Sequence, residues 1–154
     1  MSLLELVATC TLLLILASAI LPLARVTIQR QREMELRRSL REVRTAIDRY
    51  HDLAQPTNGQ PSPLDPFTVN KQGLEGYPES LEVLVEGVKL AGPVDKKIKF
   101  LRRIPKDPMT NSTEWGLRCY RDEPDSDSWC GDNVWDVYTT STRKGLDGTP
   151  YREW

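Results

Sequence analysis

The sequence predicts an α+β chain in which one long N-terminal helix is packed on a small antiparallel β-sheet, with a second, shorter helix in the connecting region. Three observations predict it. An apolar run fills residues 1–24, an apolar stripe at helical spacing continues from it to Ala54, and stretches with period-two alternation appear only after residue 114. Helical signals first and strand signals last fit that architecture.

The apolar run comes first. From Leu3 to Ala24 a helix would span roughly 33 Å, enough for the hydrocarbon core of a bilayer. Residues 1–24 are therefore expected to live in lipid, in a partner's apolar core, or in each at different times. Glu5 is the anomaly. An ionised carboxylate in a bilayer is costly and tends to mark a pairing or functional site. The nearest cation by position is an α-amino group at Met1, of the same chain or of a neighbouring copy. A charge that only another subunit neutralises favours assembly and penalises the isolated helix. Alternatively, Glu5 is solvated at the membrane interface. Pro22 removes one backbone hydrogen bond from the helix and disfavours helical geometry at Leu21, giving a mild kink or a place to bend or melt when subunits pack.

Residues 25–54 read as the amphipathic continuation of the same helix. Leu36, Leu40, Val43, Ile47, Tyr50 and Ala54 step by four and three residues and form one stripe made to lie on another element. The opposite face carries eight arginines between Arg25 and Arg49 against four acids, a solvated face on which Arg38–Glu42 and Arg44–Asp48 are spaced for weak surface pairs. Pro56, Asn58, Gly59, Pro61, Pro63 and Pro66 end the helix near Leu53–Gln55 and make residues 55–77 an irregular connector. Within the 55–97 region a short helix is expected at about 79–91. Pro78 lies in its first turn, Leu81, Leu84, Val85 and Val88 form its inner face, and Gly92-Pro93 closes it.

Residues 98–154 are expected to hold the small sheet. After a turn-rich crossing over 98–108, Trp115–Tyr120 and Val134–Thr139 alternate with period two. The loop between them is long for a hairpin, and a Cys119–Cys130 disulfide would shorten it and stabilise the fold by about 2–3 kcal/mol. A disulfide implies an oxidising compartment. The C-terminal stretch is turn-like and ends on Trp154, an aromatic expected to dock.

Composition excludes several functions. Charge is nearly balanced, so no nucleic-acid partner is expected. No enzyme is expected either: the single histidine, His51, lies near the end of the long helix as a surface or packing residue, and there is no phosphate loop, nucleophile–base pair or CxxC. Cys10 reads as a small hydrophobe in the apolar helix. Asn111-Ser112-Thr113 fits a glycan acceptor pattern that arises often by chance.

The stretch Met1-Ser2-Leu3-Leu4-Glu5-Leu6, followed by Pro22, resembles the mature N-terminus of type IV pilin-like proteins, which include the type II secretion pseudopilins. Met1 stands where Phe is usual, and Leu14 where many members carry Gly. Further on, Tyr77–Val85, Leu101–Pro108, Trp115–Arg118 and Trp135–Thr139 look like the order of landmarks in the G-type major pseudopilins. The resemblance implies a type IV pilin-like fold and a structural subunit that polymerises into a helical filament, a pseudopilus or a pilus. In that filament Glu5 would pair with the Met1 amine of a neighbouring copy. It also implies a leader cut by a prepilin peptidase that methylates the new amino terminus. Such a basic leader would explain how arginines just past the apolar run avoid retention in the cytoplasm. The implied partners are copies of the chain, the filament assembly machinery and the inner membrane, with the domain in the periplasm before assembly and a periplasmic or extracellular filament after it. G-type pseudopilins bind calcium after the last strand. Here the candidates are Thr139, Ser141 and Asp147, but further acids are missing and calcium wants six or more oxygens. No metal or other cofactor is expected, and the disulfide takes calcium's place as a staple. The alternative is a monomeric binding domain anchored in the inner membrane, in which the helix is only a tether and Glu5 has no role.

Overall fold

The computed structural model describes residues 2–56, 59–93 and 95–154, and inside the first helix leaves the side chains of Ala19, Leu21 and Pro22 undescribed. The chain is α+β. Helix α1 (Leu3–Ala54) is followed by α2 (Pro66–Val69), α3 (Leu81–Glu86), β1 (Val88–Lys89), β2 (Lys97–Ile98), β3 (Gly116–Arg118), β4 (Asp136–Tyr138) and a final 3-10 turn at Tyr151–Glu153. The strands form two antiparallel pairs, β1 with β2 and β3 with β4, in place of one small sheet.

The core lies on the second half of α1. Leu36, Leu40, Val43, Ile47, Tyr50 and Ala54 are all buried, as their spacing requires. They are covered by Leu81 and Leu84 of α3, Val88 of β1, Val137 of β4, Tyr151 of the final 3-10 turn, and by Leu64, Leu101, Trp115 and Val134 from the segments between. Tyr50 meets Phe100 edge-on at 5.4 Å between ring centroids. At the end of α1, His51 stacks on Tyr77 at 4.1 Å, Tyr77 on Tyr120 at 5.6 Å, and Tyr120 meets Trp135 edge-on. His51 is thus a packing residue that ties the helix end to the connector and the cysteine loop.

The short helices depart from the expected plan. The proline-rich connector holds one helical turn, α2, because Pro66 occupies its first position and the Asp65 carboxylate accepts a hydrogen bond from the Phe67 N–H. Helix α3 ends at Glu86, not near residue 91. Gly87 adopts φ +85°, open to glycine at little cost, and gives its N–H to the Val83 carbonyl. A Cβ at Gly87 would fall 2.7 Å from the Ile98 carbonyl oxygen, so the close approach of β2 also requires glycine there. Val88, read as helical, instead pairs with Ile98.

In the second sheet Gly116 faces Tyr138, Leu117 faces Val137 and Arg118 faces Asp136. The Tyr138 ring lies across Gly116, where a Cβ would come within 2.3 Å of its Cζ. The Arg118 guanidinium stacks on the same ring at 4.2 Å. Sheet and helix are joined by Arg44, which does not pair with Asp48. Its Nε and Nη2 donate to the two oxygens of Asp136, at 2.6 and 3.2 Å, and Nη2 donates also to the backbone oxygens of Val137 and Trp154. A forked, half-buried pair outweighs an exposed pair along one helix face, which is worth a few tenths of a kcal/mol.

Ile47 is fully buried in this core. Ile47→Ala should cost about 3 kcal/mol through lost burial and a cavity, read by denaturant unfolding of the full chain in detergent; a cost within experimental error of zero would contradict this packing.

Candidate functional site

The first half of α1 is the surface that needs explanation. At least eleven large apolar side chains between Leu3 and Leu23 are more than half exposed, and none of the most apolar 18-residue window is buried. Burying such side chains is worth about 2 kcal/mol each, on the order of 20 kcal/mol in all. That exceeds the whole net stability of an ordinary domain. The segment is long and apolar enough to cross a membrane.

Its few polar side chains are turned inward on the helix. Thr9 donates to the Leu6 carbonyl, Thr11 to those of Val7 and Ala8, Ser18 to that of Ile15 and Thr27 to that of Leu23, all between 2.7 and 3.0 Å. These hydroxyls therefore add no unmet donor to an apolar surrounding. Cys10 is an exposed free thiol on the same segment. Helix α1 runs without interruption through position 22, although Pro22 has no N–H to offer the Ser18 carbonyl.

Glu5 lies in the first helical turn, where the helix dipole favours a carboxylate. Its backbone N–H donates to the Ser2 carbonyl at 3.0 Å. Among the described residues no cation lies within ion-pair distance of its carboxylate. Met1, the expected source of the partner amine, lies outside the described residues.

The staple is in place: Cys119 and Cys130 form a disulfide across the β3–β4 loop. Asn133 organises the rest of that loop. It accepts from the Tyr120 N–H, donates to the Gly73 carbonyl at 2.8 Å, and its own carbonyl accepts from the Trp129 ring. The one cluster of metal-ligand types among the described residues is Cys119, Asp122 and Cys130, and its two sulfurs are bonded to each other.

The calcium candidates divide between two places. The buried Thr139 hydroxyl donates to the Asp107 carboxylate, and the Ser141 N–H donates to the Thr139 oxygen. Asp107 is fully buried and also accepts from the Met109 N–H and the Thr110 hydroxyl. Asp147 instead closes its own turn, accepting from the Thr149 hydroxyl at 2.7 Å and the Thr149 N–H at 3.0 Å. Those bonds, the hydroxyl's first, hold its carboxyl below the ordinary value. Asp107 is not among the residues singled out above; its only sequence signal is an Asp-Pro turn followed three residues on by Thr110.

A second polar centre joins the C-terminal loop to the stem of α1. One Glu33 carboxylate oxygen accepts from the Leu146 N–H and the Tyr151 hydroxyl, both at 2.9 Å, and from Gln29. Gln29 also donates to the Tyr151 oxygen at 3.0 Å. The loop thereby places Arg143 and Lys144 beside Arg25 and Arg32.

Two outcomes follow. Replacing both Cys119 and Cys130 by Ala should lower stability by about 2–3 kcal/mol in denaturant unfolding, and equal stability of the two forms would show that the loop is held by other means. A depressed Asp147 carboxyl contributes stability above about pH 4 that is lost as pH falls through its folded value. Thr149→Val should therefore raise the Asp147 titration midpoint toward the ordinary one in a carboxyl NMR titration; an unmoved midpoint would exclude Thr149 as the cause. No protein-family profile, curated protein or solved structure matches the chain.

Proposed function

We propose that the chain is the structural subunit of a helical, type IV pilus-like filament, close to the G-type major pseudopilins of type II secretion. The observation that supports this most is the first half of α1, apolar on every side and exposed, with a single acid near its start. A helix apolar all round is stable only in lipid or in a bundle. The subunit waits in the inner membrane with its α+β part in the periplasm, its leader removed and its new amine methylated by a prepilin peptidase. On assembly the apolar segments leave lipid and pack with their copies, and Glu5 neutralises the Met1 amine of a neighbour. A repeated head-to-tail contact that does not close yields a helical polymer. The sheets and the disulfide-stapled loop form the outer surface.

A monomeric membrane-anchored domain would need the same greasy segment but no acid within it. Glu5→Ala separates the two. The variant should fold and enter membranes as the unaltered chain does, while filament yield in sheared surface material falls by about tenfold or more, as for loss of one partner of a desolvated charge pair. Undiminished filaments would remove the pairing role.

A further inference from the structure

We infer that the cleft between the stem of α1 and the C-terminal loop binds the headgroup of an anionic phospholipid. This rests on the membrane residence proposed above. The cleft has a volume of about 480 Å³, and four of its wall residues are Arg25, Arg32, Arg143 and Lys144. All four are exposed, and among the described residues none forms an ion pair with a carboxylate. The acid on this side of the stem, Glu33, is turned to the Tyr151 hydroxyl, the Leu146 N–H and Gln29. Arg143 gives one Nη2 bond to the Met109 carbonyl, which sets its position and leaves other guanidinium N–H groups to donate.

Position selects the ligand. Arg25 and Arg32 lie about 1.5 to 12 Å beyond Ala24 along the helix axis. The headgroup layer of a bilayer is about 5–8 Å deep on each side, and long cationic side chains reach into it. Ile28 and Met109 supply apolar surface within the same cleft. Cationic walls over an apolar floor suit an amphiphile, whose phosphate meets guanidinium groups while its glycerol end meets carbon, better than a free anion. The cations come from two elements separated by more than a hundred residues, so the site exists only when the loop is pinned to the stem. A bound headgroup would hold the folded part against the bilayer before assembly.

The test is native mass spectrometry of the full chain in detergent, titrated with phosphatidylglycerol or phosphatidylcholine. Flotation on phosphatidylcholine vesicles is run in parallel. Phosphatidylglycerol should be retained in preference. The variant R25Q/R32Q/R143Q/K144Q should lose that preference by about tenfold or more, since each basic residue at an anionic surface is worth roughly fivefold. R25K/R32K/R143K should keep it. Unfolding curves report whether each variant is folded, and R25Q/R32Q, confined to the exposed stem, gives a milder version of the same loss. Equal retention of the two lipids, an unaffected quadruple variant, or full displacement by inorganic phosphate would overturn the headgroup site. A chain that fails to float would overturn membrane residence instead, so the two failures are distinct.

Discussion

The exclusion of apolar surface from water sets the terms for this chain, and α1 meets it in two ways. Its second half buries one stripe, from Leu36 to Ala54, against segments that lie far away in sequence. Its first half finds no cover among the described residues. One helix thus needs two surroundings, a protein core on one flank at one end and an apolar medium on every side at the other.

Polar contacts decide how the folded part is set on the helix. Arg44 reaches Asp136 and the backbone oxygens of Val137 and Trp154, so one guanidinium joins helix, sheet and C-terminal segment. Glu33 does the same lower on the stem for the loop that carries Leu146 and Tyr151. Arg37 lies over the Trp154 ring at 4.2 Å between these two ties. The charged face of α1 is therefore divided. Part of it clamps the domain, and the part nearest the apolar run keeps its cations exposed.

The long elements were legible in the sequence because their signals are repeated. The apolar run and the four-three stripe each rest on many residues, and β3 and β4 lie inside the alternating stretches that predict them. The short elements turned on single residues that weigh little in a window. Gly87, not Gly92-Pro93, stops α3 by turning to φ +85°, and β2 approaches it too closely for a side chain. Asp65 caps a turn inside a connector whose prolines read as helix-breaking. Arg44 stands four positions before Asp48, as a surface pair would, and its partner Asp136 is 92 residues further on. The Cys119–Cys130 link was readable from spacing and loop composition. Asp107, Glu33 and the Arg25–Lys144 cleft were not, since each joins residues that only the tertiary fold brings together.

What surrounds the apolar half of α1 decides whether the proposed filament exists. Electron cryomicroscopy of sheared surface material tests it most directly. A filament subunit should give a helical fibre of this chain, with residues 3–24 of every copy in the core, each Glu5 carboxylate beside a neighbour's terminal amine, and the β-pairs outside. Cells that make no fibre containing it, together with purified chain that stays as detergent-bound monomers under every polymerising condition, would contradict it.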